Sequence, residues 1–243
     1  MPDITNLDAV TLSKAIHEKK LSCSEVMSAY LDRIEKYNPK INAIISMRSR
    51  EELIKESKLL ENKEPTGWLH GIPIAIKDLA ETKGLKTTWG SPIFKEHIPN
   101  FDCIVSQRIK NAGAIVIGKT NTPEFGLGSH SYNPVHGVTR NPYDLTKTAG
   151  GSSGGAAAAL AARLLPIADG SDMMGSLRNP GAYNNVYGFR PSWGLVPNDA
   201  DGDIFMQTLA TSGPMARTPT DLAYLLQTLA GPNSLLPTNT TPE

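Results

Sequence analysis

The sequence contains few cysteines. Among its 243 residues only Cys23 and Cys103 are cysteine, and they do not form a Cys-x-x-Cys pair. A zinc site and a disulfide framework both need more cysteines at closer spacing, so neither is expected. Such sparse usage is typical of a reducing compartment, and we expect a cytoplasmic protein.

Long apolar runs are also missing. No run approaches the roughly 20 residues that a membrane-spanning helix needs. The N-terminal stretch MPDITNLDAV is polar, unlike the apolar core of a secretory signal. We therefore predict no membrane association.

Neither sign of charge is in surplus. Lys and Arg together number 24, Asp and Glu together also number 24, and the formal net charge is zero. A nucleic-acid-binding surface normally brings an excess of basic residues, so direct nucleic-acid binding is not expected. Apolar residues make up 40% of the chain, which is enough for a real core.

The first 65 residues are predicted to form a helical segment. Ser22 and Glu25 match a capping box, in which each side chain bonds the backbone N–H of the other residue. The apolar spacing that follows predicts a helix that ends near Asn38 and Pro39. A second, more charged helix is predicted over residues 48–62.

Short apolar strands then alternate with helices. This alternation is typical of an α/β fold in which helices cover a mixed, mostly buried sheet. We expect this core at residues 66–231 and a disordered tail at residues 232–243, where turn-forming residues dominate. The predicted strands are 71–76, 114–117 and 164–168, and the predicted helices are 101–111, 156–163 and one capped by Thr218 that stops at Gly231.

Glycine and serine are concentrated between residues 150 and 192. Ser152 follows two glycines, and Ser176 follows Gly175. Glycine lets a backbone turn sharply and approach a ligand, and a serine placed there can be a nucleophile or an anion ligand. Neither serine has a histidine nearby in sequence, so the candidate base is Lys77, at the end of the apolar segment GIPIAIKD. Taken alone, Ser176 could simply cap a short helix and Lys77 could lie on the surface.

Two familiar motifs also match the sequence. Residues 113–120 fit the phosphate-loop pattern G-x-x-x-x-G-K-T, but their middle residues are Ala, Ile, Val and Ile, which favour a strand over a loop. We therefore interpret Lys119 as structural.

Residues 150–154 fit the nucleophile-elbow pattern G-x-S-x-G. An elbow needs a strand before it, and residues 141–148 are predicted not to form one. It also needs a later histidine, whereas all five histidines precede Ser152. A serine esterase or lipase is kept as an alternative on this motif.

Six segments of the chain, in this order and spacing, resemble the amidase signature family. The likeness runs from about residue 71 to residue 231, roughly two thirds of the chain. The segments are GIPIAIKD (71–78), AGAIVIGKTNTPEFG (112–126), GGSSGG (150–155), GSDMMGSLRNP (170–180), YGFRPSWGLVP (187–197) and TSGPMARTPTDLAYLL (211–226).

The resemblance implies an amidase whose catalytic triad is Ser176, Ser152 and Lys77, with a cis peptide bond before Ser152. The reaction it implies is acyl transfer through Ser176, without a metal or an organic cofactor. It also implies a proton relay from Ser176 through Ser152 to Lys77, which Ser153 supports, and a small-molecule amide substrate as the partner.

The resemblance also implies an oxyanion hole. Its donors would be the backbone N–H groups of Met173, Met174, Gly175 and Ser176. Met174 stands where the family usually has glycine, and Met173 where it often has a small polar residue. The side chains that line the substrate pocket should therefore differ from those usual in the family.

Side chains around these serines have further predicted roles. Asp172 and Arg178 flank the nucleophile and could pair to brace its loop. Candidate pocket-lining residues are Tyr132, Met173, Met174 and Tyr183.

Members of that family are much longer than this chain. We therefore expect a truncated protein with weak or no turnover, a homo-oligomer, or a partner chain that covers the exposed side. Two other hypotheses stay open: a component of a transamidase-type complex, since one branch of the family acts on charged tRNA, and a non-catalytic remnant.

Overall fold

The computed structural model describes residues 3–199 and 208–234 of the chain. Residues 235–243, most of the expected tail, lie outside the described residues. Within the described part, seven α-helices are α1 (Ala9–His17), α2 (Cys23–Ile41), α3 (Arg50–Leu60), α4 (Ile104–Asn111), α5 (Gly154–Ala161), α6 (Arg178–Tyr183) and α7 (Pro219–Leu229). In that same part, no helix combines the length and apolarity needed to cross a membrane.

The strands form two three-stranded sheets and two small hairpins. In chain order they are β1 (Ile44–Ile45), β2 (Pro73–Lys77), β3 (Ile115–Thr120), β4 (Tyr132–Asn133), β5 (Gly137–Val138), β6 (Arg140–Asn141), β7 (Asp144–Thr148), β8 (Ile167–Asp172), β9 (Tyr187–Gly188) and β10 (Thr211–Ala216). One sheet has the order β1-β3-β2, the other β8-β10-β9, and the hairpins are β4-β5 and β6-β7.

The two larger sheets have different strand directions. In the first sheet β2 runs parallel to β3, whereas β1 runs antiparallel to it. In the second sheet β10 is antiparallel to both β8 and β9. Strands β2 and β8 pack beside each other. The predicted α/β class and the mixed strand directions are confirmed, while the single sheet is divided into two.

Local sequence signals set several helix boundaries. Ser22 and Glu25 form the predicted capping box, with the Glu25 N–H donating to Ser22 Oγ at 3.1 Å and the Ser22 N–H donating to Glu25 Oε2 at 2.8 Å. Thr218 caps α7 with its hydroxyl alone, which accepts the Asp221 N–H at 3.1 Å, and it is followed by Pro219 at the first helical position, where a missing N–H costs nothing.

Several boundaries differ from the sequence predictions. Helix α4 begins at Ile104 rather than at residue 101, and β8 covers Ile167–Asp172 rather than residues 164–168. Helix α2 continues through Pro39 to Ile41. It ends there because the next residue, Asn42, adopts the left-handed conformation (φ 56°) that commonly ends a helix. Residues 141–148, predicted not to be a strand, include β7. Four of its five residues are exposed and its side chains are mostly polar, so it lacks the apolar alternation that reveals a half-buried strand.

The first 65 residues pack into the same core as the rest of the chain. Strand β1 pairs with β3, and α2 shares an apolar cluster with α5. Helix α5 is buried from Gly154 to Leu160, as expected of a helix that is apolar on every side. It packs against β2 and β3 of one sheet and β8 and β10 of the other, so the loop before it reaches both sheets.

Candidate active site

Lys77 ends β2 inside the protein. Its side chain is 1% exposed, and its Nζ lies 2.8 Å from Ser152 Oγ and 2.8 Å from Ser153 Oγ. Ser171 Oγ, on β8, is 3.0 Å away. The amine therefore contacts three hydroxyl groups on two separate segments, and the surface interpretation of Lys77 does not apply.

Burial changes the ionisation of this lysine. Desolvation lowers the pKa of Lys77 to about 7, and the carboxylates of Asp169 and Asp172 oppose that effect only in part. A large fraction of the amine is consequently neutral near pH 7. A neutral amine has a lone pair and can accept a proton from a hydroxyl group.

The loop before α5 carries Ser152 and Ser153. The Gly151–Ser152 peptide bond is cis, the conformation that the family resemblance implies. Gly151 lies against the backbone of His130: an added Cβ would come within 2.9 Å of its nitrogen. Ser131 fixes the loop, since its Oγ accepts the Gly154 N–H at 3.0 Å and its hydroxyl donates to the Ser152 carbonyl at 3.3 Å.

Ser176 lies in the loop between β8 and α6. The Ser153 N–H donates to the Ser176 carbonyl oxygen at 3.2 Å, which ties this loop to the one before α5. Ser176 is partly exposed, and among residues 3–199 and 208–234 its hydroxyl has no hydrogen-bond partner. The hydroxyl is therefore available to a ligand.

The buried Asp172 side chain stabilises the Ser176 loop. Its side chain is fully buried and accepts the N–H groups of Gly175 at 2.7 Å and Leu177 at 3.2 Å. Arg178 Nε donates to it at 2.9 Å, and Arg190 Nη1 also at 2.9 Å. Burial opposes ionisation, but these donors hold the pKa of Asp172 well below its usual range.

Arg190 was missed by the sequence interpretation. It lies 18 residues after Asp172 and reaches it only because the chain returns past the edge of the second sheet. The expected Asp172–Arg178 pair is present, with its carboxylate buried and its guanidinium more than half exposed. It is thus more than a surface ion pair.

The expected oxyanion-hole donors are only partly available. The Gly175 N–H donates to Asp172 Oδ1 at 2.7 Å, and Gly175 itself has a positive φ of 117°. The N–H groups of Met173, Met174 and Ser176 have no acceptor among the described residues. These three N–H groups are open to a ligand in the structure, and the oxyanion hole stays a prediction.

The proposed pocket-wall side chains are all exposed. Met174 is 86% exposed, and Met173, Tyr132 and Tyr183 are each about half exposed or more. Large apolar side chains beside Ser176 are therefore open to contact with a ligand or another chain.

The competing motifs do not form sites. Residues 115–120 of the phosphate-loop match are strand β3, and the Lys119 Nζ donates to the Ala80 carbonyl and to Thr82 Oγ1. A strand does precede Ser152, contrary to the prediction. However, the Ser152 hydroxyl is hydrogen-bonded to Lys77, and no histidine of the described residues bonds to Ser152. The same residues contain no cluster of three potential metal-ligating side chains.

A protein-family model described as Amidase matches residues 25–243. A glutamyl-tRNA(Gln) amidotransferase subunit from Saccharolobus solfataricus is 44% identical over 225 residues, which are 92% of this chain and 46% of the relative. The corresponding protein of Alkaliphilus metalliredigens is 40% identical over 237 residues, or 96% of this chain and 48% of the relative. The chain thus spans about half the length of the curated relatives it matches.

Solved structures give the same proportion. A bacterial aryl acylamidase of the amidase signature family has a TM-score of 0.90 at 32% identity, covering 96% of this chain and 49% of the other. For 6-aminohexanoate cyclic dimer hydrolase the TM-score is 0.90 at 30% identity, with 99% and 50% covered. Peptide amidase from Stenotrophomonas maltophilia has a TM-score of 0.85 at 33% identity, with 95% and 49% covered.

Proposed function

The chain belongs to the amidase family, and from that premise we propose that it cleaves an amide bond through an acyl-enzyme on Ser176. The observation that carries the proposal is the short contact between the buried Lys77 amine and the Ser152 hydroxyl. A base with a pKa of about 7 is matched to proton transfer near neutral pH.

The proposed reaction begins with a proton relay. Neutral Lys77 accepts the proton of Ser152, and Ser152 accepts that of Ser176 as Ser176 Oγ attacks the amide carbonyl carbon. The developing oxyanion is bound by backbone N–H groups of the Ser176 loop, for which those of Met173, Met174 and Ser176 are candidates. Ser152 then returns a proton to the departing amine. Water attacks the acyl-enzyme by the reverse relay and releases the acid.

Covalent labelling tests this assignment directly. A fluorophosphonate should modify the purified 243-residue chain at Ser176, and peptide mass spectrometry would locate the adduct. Ser176→Ala should abolish labelling and Lys77→Met should reduce it at least about 100-fold, the usual contribution of a positioned base. Ser234→Ala, at an exposed serine outside the site, is the matched control. Equal labelling of the native protein and Ser176→Ala would reject Ser176 as the nucleophile.

A second candidate is a role within a multi-subunit amidotransferase complex. The two curated relatives described above carry the name of one component of such an enzyme. In this role Ser176 would release ammonia from an amide for a partner protein, and a partner chain would cover exposed side chains such as Met174. Mass measurement after co-expression with candidate partner proteins distinguishes this role from that of a free-standing amidase. A homo-oligomer would appear in the same experiment.

The remaining expectations are part of the proposal. We propose a small-molecule amide as the substrate and the cytoplasm as the compartment, with which two buried free cysteines are consistent. Hydrolysis assays with short aliphatic and aryl amides would identify the substrate class. Because the chain spans half of its relatives, the same assay decides whether it turns over alone or only binds.

A further inference from the structure

Buried charged side chains that the proposed relay does not use lie behind Lys77. Asp169 on β8 is 2% exposed, and Lys119 on β3 and Asp78 after β2 are fully buried. Burying a charge is costly unless it is paired or hydrogen-bonded, so each needs a partner. Lys119 and Asp78 find their partners in the segment that follows β2, whereas the partner of Asp169 lies in the other sheet.

Both Lys119 and Asp78 are bonded to the segment that follows β2. The Lys119 ammonium donates to the Ala80 carbonyl and to Thr82 Oγ1. Asp78 accepts the backbone N–H of Thr88 at 3.0 Å and its hydroxyl at 2.5 Å. These contacts brace the segment that follows β2.

Asp169 instead joins the two sheets. Its Oδ1 accepts the backbone N–H of Lys77 at 3.0 Å, where β8 of one sheet packs beside β2 of the other. The bond is buried at both ends. It fixes the strand position of Lys77 relative to β8, whose far end leads into the Ser176 loop.

Other charged groups face this region. Asp172 is paired with Arg178 and Arg190, so its negative charge is largely compensated. A cavity of about 350 Å³ beside Lys77 and Asp169 is also lined by Glu81 and Asp199. His136 lies on the far side of Asp78, with Nε2 3.2 Å from Thr88 Oγ1.

We propose that Asp169 is a positioning residue for Lys77: its buried carboxylate anchors the Lys77 backbone to the second sheet and supplies a negative charge to the pocket that Lys77 lines. The proposal rests on the proposed function, in which Lys77 is the base. Asp169 acts through Lys77 and has no contact with the reacting hydroxyl groups.

The electrostatics of the two residues agree with this role. Desolvation lowers the pKa of Lys77, and Asp169 is the strongest group acting in the opposite direction. Burial raises the pKa of Asp169. The hydrogen bond from the Lys77 N–H and the positive charges of Lys119 and Lys77 act in the opposite direction and favour the ionised carboxylate. Without this anion, the Lys77 amine would become neutral at a lower pH.

The test is a titration of Lys77 in the full chain that carries ¹³C-labelled lysine. The ¹³Cε shift reports ionisation without requiring activity, and Lys77→Arg identifies the resonance. We expect a midpoint near pH 7 in the native protein and a midpoint about one pH unit lower in Asp169→Asn, the size typical of a neighbouring opposite charge. Asp144→Asn, at an exposed position on β7, should leave the midpoint unchanged.

Asparagine keeps the size of aspartate and an oxygen that can still accept the Lys77 N–H. Should Asp169→Asn fail to fold, Asp169→Asn combined with Lys119→Gln removes one buried charge of each sign, and the same downward change is expected. Restoration of the native midpoint by Asp169→Glu would support the charge itself as the cause. A native midpoint in a folded Asp169→Asn or double variant would overturn the proposal.

The pH dependence of fluorophosphonate labelling separates the two proposals. Its inflection should follow the Lys77 midpoint in the native protein and in Asp169→Asn. If the NMR midpoint moves but the native protein is not labelled at Ser176, the role of Asp169 stands and the proposed function fails. If labelling occurs at Ser176 with the same inflection in both proteins, the proposed function stands and the role of Asp169 fails.

Discussion

The Asp172→Asn variant measures how firmly the Ser176 loop is held. Asp172 is fully buried and its carboxylate accepts five hydrogen bonds, two from backbone N–H groups and three from Arg178 and Arg190. Asparagine retains one acceptor oxygen and turns an NH₂ group toward donors. The variant thus loses acceptors while its packing volume stays almost the same.

The expected loss of stability follows from these contacts. Hydrogen bonds to a charged group contribute about 1.5–3 kcal/mol each, but the Arg178 guanidinium is 56% exposed and its pairing is worth much less. Losing the buried share gives about 3 kcal/mol in the free energy of unfolding. For a domain of this size that corresponds to a fall in Tm of about 6–12 °C.

Urea denaturation at pH 7 is the assay, with Asp32→Asn as the control. Asp32 pairs with Arg50 on the surface, where the Asp32 side chain is 64% exposed, so its loss should cost at most about 1 kcal/mol. An Asp172→Asn loss no larger than the control's would refute the idea that this carboxylate organises the loop.

The pH dependence supplies a second check. The folded pKa of Asp172 lies well below its unfolded value of about 3.9, so its stabilising effect is complete above that pH and is lost as the pH falls toward the folded pKa. Asparagine does not titrate. The stability difference between the two proteins should therefore narrow from pH 5 to pH 2, and a constant difference would contradict the assignment.

Two further variants test the interior of the site. Lys77→Met should stabilise the protein more at pH 7 than at pH 10. The Lys77 amine has a pKa near 7 when the protein is folded and about 10.4 when it is unfolded, so the stability of the native protein rises with pH across that window. Urea denaturation at both pH values checks this, and an equal effect at both would count against a buried neutral amine. Gly155→Ala should destabilise by several kcal/mol, although alanine is normally better by about 1 kcal/mol within a helix. Its Cβ would lie 2.3 Å from the Asn121 backbone nitrogen and 2.7 Å from the Ala43 carbonyl oxygen, and a rise in Tm would show that α5 has more room than described.

Features encoded by neighbouring residues could be predicted from the sequence. The Ser22 capping box and the Thr218-Pro219 helix start depend on contacts within one turn, and both are present. The apolar strands at 71–76 and 114–117 were also recognisable, since buried runs bounded by glycine or proline have few other uses. Strand β7 was missed because an exposed polar hairpin has no apolar pattern.

The site was predictable only where family motifs fixed it. Lys77 and Ser152 are 75 residues apart, and nothing in either segment alone indicates that they meet. Ser171 and Asp169 were overlooked because their roles depend on β8 packing beside β2, a relation between two sheets. The hydrogen bond from the Gly175 N–H to Asp172 could not be predicted from the sequence either, because it depends on the direction of one peptide group.

Helix α5 has consequences for how such a protein can diversify. Its first six residues are glycine or alanine, and all are buried, so backbone atoms rather than long side chains set its distance to the neighbouring strands. Interiors packed this closely tolerate few larger side chains. The position of Ser152 relative to the neighbouring strands should therefore change little as substitutions accumulate. Exposed positions such as Met173 and Met174 carry no such restriction. Selection for a new substrate would therefore act on the rim of the site and leave its proton-transfer geometry inherited intact.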